Sequence, residues 1–305
     1  MGSPAEMKTP PARTSRQIER SAIVALVPVA ALVPFWLVAM AVAWLPLRLI
    51  FGIQYWVVPA GWLVIGLLLF VPSVQVALLS PFLGARRPSS DELAVITPIW
   101  RDLAATAKQP QYRFVIRVID SDELNAYACG GHLLIVTSFA IDELSQRELS
   151  GVLAHELSHH LGLHTVALTL AHWLSLPVLL LARVGFYLQN VARAATDSFV
   201  SHSAALTALG RVAAGLLTAI SWVFLAALYA SDALANIVGH RSEFEADRRT
   251  VRMGYGRALV DALRAVIRLG GGARAVGWKA RLAATHPPAR TRVARIEAMM
   301  RHPSR

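Results

Sequence analysis

Ala154-His155-Glu156-Leu157-Ser158-His159 is the stretch on which the reading of this chain turns. His155 and His159 are four residues apart, so on a helix their imidazoles leave the same face and can converge on one metal ion. Glu156 stands beside them, where its carboxylate can take a proton from a water at that ion. Upstream, Ser145-x-x-Glu148 has capping-box spacing, so the pair sits on a helix with a defined start. The pattern points to metal-assisted hydrolysis. It also demands a third ligand, because a catalytic zinc has three protein ligands and one open position.

The surroundings of this helix are apolar. Hydrophobic residues make up 55% of the 305, charged residues 16%, and the mean hydropathy is +0.48. Soluble proteins carry nearer ~25% charged residues. The deficit lies in four apolar runs, near 21–47, 55–79, 163–188 and 212–237. Each is long enough for a bilayer span of ~20 residues. The first is far longer than the ~7–15 apolar residues of a signal peptide, so it reads as a retained span. Lys8, Arg13, Arg16 and Arg20 precede it, Arg86 and Arg87 follow the second run, and only Arg48 lies between. The positive-inside rule therefore places both ends of this first hairpin in the cytoplasm. For the third and fourth runs, a pair of buried helices in a soluble core is the rival reading.

The net charge is +11, and fifteen Lys/Arg against five Asp/Glu fall between Arg241 and Arg305. Next to membrane spans such a segment faces anionic lipid. No aromatic-interleaved basic motif favours nucleic acid, and none is expected as a partner. The single cysteine, Cys129, excludes an internal disulfide and a cysteine zinc cluster.

Between the second and third runs the chain looks soluble. Asp91 to Ala107 reads as an amphipathic helix and Tyr112 to Val118 as a strand. Residues 125–129 and His132 to Thr137 read as two strands around Gly130-Gly131. The link from Gln189 to Arg211 is polar and reads as the connection between runs three and four. Gly256 to Leu269 reads as a helix, and Thr285-His286-Pro287-Pro288 opens a last one.

Two residues compete to be the third ligand. His164 comes one position before the place that H-E-x-x-H-x-x-G-x-x-H requires, which is Thr165 here, and so points about 100° away on a helix. Glu243 lies directly after the fourth run, and a hairpin of runs three and four returns it to the membrane face that holds His159. Glu243 is preferred. Asp247, one turn on, can accept the second ring N–H of a zinc histidine.

Taken together, Asn125-Ala126-Tyr127, His155-Glu156-x-x-His159, Glu243-Phe244-Glu245-Ala246-Asp247 and Thr285-His286-Pro287-Pro288 with Arg292 resemble the membrane-embedded zinc metalloproteases that include the HtpX heat-shock proteases and the CAAX prenyl proteases. The order of spans and motifs is similar over most of residues 22–300. The resemblance implies a mainly α membrane protein, with four transmembrane helices and a zincin-like α+β catalytic domain containing a small β-sheet. On that plan residues 1–20 form a disordered cytoplasmic tail, 21–80 and 163–237 two membrane hairpins, and 81–162 with 238–305 the two parts of the protease domain. It implies one Zn2+ per chain on His155, His159 and Glu243, Glu156 as general base, and His286 and Arg292 as donors to the substrate carbonyl or oxyanion. From the residues alone, the last two are a helix-entry His-Pro-Pro and a solvated arginine. Asn125 would hold the backbone of a substrate added as a strand near His132–Thr137; the bland reading is a turn residue.

The function expected is thus a zinc endopeptidase acting on membrane or membrane-proximal polypeptides. It would be a multi-pass protein of the plasma membrane with its catalytic domain in the cytoplasm. The alternatives are a non-catalytic membrane scaffold of the same fold, against which the intact Glu156 argues, and a zinc carrier. A carrier would need ionisable residues inside its spans, and the candidate ligands cluster at the span ends instead.

Overall fold

Apolar run length, not chain order, sets the first layer of the architecture. The computed structural model describes residues 27–199, 204–269 and 287–302; the expected N-terminal tail and His286 lie outside them. Three helices are long and apolar enough to cross a membrane: α1 (Val27–Phe51), α7 (His164–Phe199) and α8 (Ala204–Arg252). Leu32, Trp36 and Met40 of α1 meet Val178 and Ala182 of α7 and Phe224 and Leu228 of α8 in one apolar interior. The outward side chains are apolar too. Leu49, Leu180 and Leu216 are exposed, a surface that water penalises and lipid accepts. Gly185 of α7 lies against Ser221, and Gly210 of α8 against Thr196, so small residues let these two helices approach closely.

The second apolar run forms not one straight span but two helices, α2 (Val57–Leu68) and α3 (Pro72–Leu83), bent by 89°. Val71, before Pro72, is driven into the extended region (φ −73°, ψ 120°), which ends one helix and lets proline open the next. Among the described residues there are thus three helices of that kind, or four if the bent pair counts as one. Trp62 of α2 stacks on Trp173 of α7, with 4.3 Å between centroids, and ties the pair to the bundle.

The soluble layer is a four-stranded sheet of β1 (Ala85–Arg86), β2 (Val115–Ile119), β3 (Ala126–Cys129) and β4 (Leu133–Thr137), in the order β1-β2-β4-β3. Only the β2–β4 pair is parallel. One face packs through Phe114, Val118, Leu134 and Val136 on Leu103 of α4 (Ser90–Thr106) and on Leu149, Leu153 and Leu157 of α6 (Gln146–Leu161). The other carries Leu133 and Ile135 against Leu83 of α3. With both faces covered and β2 and β3 on either side, β4 is buried along its whole length, so the edge at this end of the sheet is β3 and not, as the sequence suggests, the segment His132–Thr137. Tyr112 belongs to an exposed 3-10 turn, Gln111–Arg113, ahead of the strand rather than in it.

Short α5 (Ser138–Glu143) leads into α6, and α9 (Gly256–Arg268) and α10 (Ala289–Arg301) close the layer around Leu259, Val260, Leu263 and Ile296. Gly151 lets α6 cross α9 with no side chain between, since a Cβ there would collide with the backbone of Ala258 and Leu259.

The polar link expected from Gln189 to Arg211 is instead helical on both sides of the four undescribed residues. The two helices run on past the apolar stretches. Hydropathy marks where lipid ends, and a helix that packs on its neighbour need not end there.

Candidate metal centre

The site is built from one short and one very long helix. Ser145 caps α6: its Oγ accepts from the Glu148 N–H, and Glu148 Oε2 accepts from the Ser145 N–H at 2.9 Å. The helix ends at Gly162, and Leu163 adopts a left-handed conformation (φ 63°) before α7 starts at His164. His164 is therefore on a different helix from His155 and His159. Its neighbour His160 is fully buried, with Nε2 at 3.0 Å from the Leu133 carbonyl and Nδ1 beside Thr165, in a packing role.

Glu243 and Asp247 ride the end of the 49-residue α8, which comes out of the bundle and lies along α6. Two contacts fix that alignment. Arg249 donates from Nη1 to the Ser158 carbonyl at 2.9 Å, and the Ser158 and Thr250 hydroxyls meet at 3.2 Å. Arg249 is one of the residues that spacing alone did not single out. A basic residue six positions after Glu243 gives no local signal that it caps another helix.

These constraints bring the sequence's preferred ligands together. One ligand atom each from His155, His159 and Glu243 lies within 4.8 Å of the other two. The Nε2 atoms of His155 and His159 are 3.3 Å apart, and they lie 3.3 and 3.1 Å from the two Glu243 carboxylate oxygens. Ligands ~2.0–2.1 Å from a tetrahedral zinc stand about 3.3 Å from one another, so the spacing fits that ion. His155 Nδ1 lies 3.1 Å from Asp247 Oδ1, the outward support that a metal-bound imidazole takes.

Arg292 is buried and not solvated, the reverse of what its sequence setting suggests. It donates to both Asp247 oxygens, at 3.0 and 2.6 Å, while Nη2 lies 3.0–3.1 Å from the His155 ring nitrogens and Nη1 3.4 Å from Glu243. Arg295 beside it stacks over Phe244, which docks α10 on α8. Pro287 and Pro288 lead into that helix.

Charge completes the test of fit. Glu156, Glu243 and Asp247 are all buried, and Arg292 supplies the one buried guanidinium among them. Three negative charges against one positive leave two uncompensated, the charge that a divalent cation supplies. Without it the imidazoles take up the role in part. Burial and the Arg292 charge oppose protonation of His155, but Asp247 and Glu243 outweigh them and push it up to about 9. His159 is held below the usual range by burial, which Glu243 offsets only in part. Below pH 9 a metal must therefore displace a proton from His155, and His159 gives up its own more readily than a free imidazole does. Zinc affinity should rise about tenfold per pH unit between pH 6 and 7.5. Chelator competition across that range checks this; a flat profile would contradict it.

Glu156 is buried beside the triad, and its Oε2 accepts from the Ala128 N–H at 2.9 Å. Tyr127 and Cys129 pair with β4 and Ala128 alternates with them, so its amide points off the free edge of the sheet toward the general-base candidate. Asn125 anchors the start of that strand: its N–H donates to Thr137 Oγ1 at 3.1 Å and its carbonyl accepts from the Thr137 N–H at 3.0 Å. At the far end the fully buried Gln75 of α3 accepts from the His132 N–H at 3.1 Å and packs on Gly130 (φ 70°). Gln75 is the one amide in the second apolar run, which is the signal that could have marked it.

Residues 92–300 match the family model described as peptidase family M48. The chain belongs to that family. Among curated M48-like relatives, it is 30% identical over 195 residues to Protease HtpX of Nitrosococcus oceani, covering 60% of this chain and 64% of that one. It is 29% identical over 163 residues to Protease HtpX homolog 1 of Streptomyces coelicolor, covering 52% and 46%. The matched segment thus spans between about half and two thirds of these relatives' length. Among solved structures, Ste24p of S. mikatae superposes with a TM-score of 0.50 over 92% of this chain and 67% of its own, at 15% identity, a likeness of fold. The M48 match takes in the triad, Glu156, Asp247 and Arg292.

Proposed function

We propose that this M48 family member is a membrane-bound zinc metalloendopeptidase that hydrolyses peptide bonds of membrane or membrane-proximal polypeptides. The observation that carries the reading is the position of Glu156, buried next to a His155/His159/Glu243 triad and facing the free edge of β3. A bound zinc supplies Lewis acidity, lowering the pKa of a water to ~7 and polarising a carbonyl.

The protein's own groups do the rest. An extended substrate adds to β3 as a further strand through the outward backbone groups of that edge, with Asn125 setting where the edge begins. Glu156 takes the proton of the attacking water and returns it to the leaving amine. Asp247 holds the His155 ring in its orientation. By the family resemblance, Arg292 and His286 are assigned to the substrate carbonyl. We assign the protein to the plasma membrane, and the positive flanks of the first hairpin support placing the catalytic layer, residues 81–162 and 238–305, on the cytoplasmic side.

Treating the purified full chain with a zinc chelator should abolish casein cleavage, and one equivalent of zinc should restore it. Undiminished cleavage in chelator would sink the proposal.

A further inference from the structure

At the β1–β2 end of the sheet, away from β3 and the metal triad, an open groove of about 500 Å³ runs between α4 and the 3-10 turn. Its floor is apolar, formed by Ile96, Trp100 and Phe114, with Leu93 exposed at its rim. Two arginines, Arg87 and Arg117, complete the lining. Ala85 pairs with Ile119 and Arg86 with Val118, so the next step of this register sets Arg87 opposite Arg117. Like charges facing across a strand pair are unfavourable.

The neighbouring arginine shows what a satisfied one looks like here: Arg86 holds Glu92 at 2.8 Å and Asp120 at 2.6 Å. Among the described residues no carboxylate pairs with Arg87 or Arg117; Arg117 donates only to the Ile116 carbonyl. Burial first, and the Arg87 charge second, disfavour the charged form of Arg117. The pair is thus arranged for an anion that the chain does not supply.

The groove also lies close to lipid. Leu78 and Phe82 of α3 are exposed apolar side chains, and Arg87 follows Leu83 by four residues, at most ~14 Å of chain. An occupant has to combine a negative head with an apolar body. We propose that the groove binds one anionic phospholipid, its phosphate bridging Arg87 and Arg117 and an acyl chain lying over Leu93, Ile96 and Trp100.

Native mass spectrometry of the full chain in detergent tests this, titrated with phosphatidylglycerol and with phosphatidylcholine of the same acyl chains. Wild type should retain phosphatidylglycerol at least tenfold more strongly. That preference should collapse in Arg87→Gln/Arg117→Gln, and also in Arg87→Glu, a single change at an exposed side chain. Equal retention of the two lipids by wild type, or an unchanged preference in both variants, would overturn the site. Competition by inorganic phosphate at the same concentration as the lipid would make it a small-anion site instead. Displacement by an acidic peptide at lower concentration would make it a polypeptide site. Either outcome refutes the lipid assignment.

Discussion

Glu156→Gln keeps its zinc and loses peptide hydrolysis by about three orders of magnitude, within the ~10²–10⁴ that general acid–base catalysis contributes. The substitution is isosteric. Glutamine retains an oxygen that can accept from the Ala128 N–H, so neither the β3 edge nor the α6 helix has reason to move. None of the three triad residues changes, so metal content should stay at one ion per chain. What disappears is a carboxylate able to take a proton and give it back. Casein cleavage measured beside zinc content separates the two effects. Activity equal to wild type would remove Glu156 from the mechanism. Loss of zinc together with activity would make it a ligand or a scaffold residue.

The second large effect is expected at Asp247. Its side chain is fully buried, takes two hydrogen bonds from Arg292, and lies 3.1 Å from His155 Nδ1. Burial works against its charge, but His155 and Arg292 hold the carboxyl below the usual range. Asp247→Ala removes both carboxylate hydrogen bonds of the buried Arg292 guanidinium and leaves it, of its carboxylate partners, only the longer contact to Glu243, so the cost should approach the about 3–5 kcal/mol of removing one half of a buried pair. It also frees the His155 ring, for which a loss of ~10–100-fold in metal affinity is typical. The double variant Asp247→Leu/Arg292→Met removes the stranded charge and should recover most of the thermal midpoint while zinc affinity stays low. Thermal unfolding in detergent with zinc competition reads both. An unchanged midpoint in Asp247→Ala would show that the pair does not hold α10 to α8.

The parts of this site that local periodicity controls were legible in the sequence. His155, Glu156 and His159 sit within two helical turns of a capped helix, and Glu243 followed from the return of a hairpin. Arg292 was singled out by the family resemblance, but its burial was not legible in the residues themselves. Its burial depends on a carboxylate 45 positions earlier, and a chain with so many arginines near its end gives no hint which one turns inward. The sheet's free edge was hidden for a related reason. Both strands of the β3–β4 hairpin are visible as alternating runs, but β4 is central only because β2 pairs with it in parallel after a crossover. The bend between α2 and α3 did carry a mark, Val71-Pro72, which hydropathy averaging conceals.

The unbroken length of α8 has a mechanical consequence. Its 49 residues contain no proline and make a rod about 74 Å long, more than twice the thickness of a hydrocarbon core. Glu243 stands about 9 Å along it from Ile237, where the fourth apolar run ends. A tilt of ~5° at that point would swing the backbone of Glu243 by ~0.8 Å, about four times the ~0.2 Å tolerance of a metal–ligand distance. Helices answer a change in bilayer thickness by tilting. With a hinge beyond residue 237 such motion would be absorbed; with a rod it is delivered to the third ligand, opposed by the grip of Arg249 and Thr250 on Ser158 and of Arg292 and Arg295 on Asp247 and Phe244. The thickness of the surrounding bilayer is thereby a load on the metal centre.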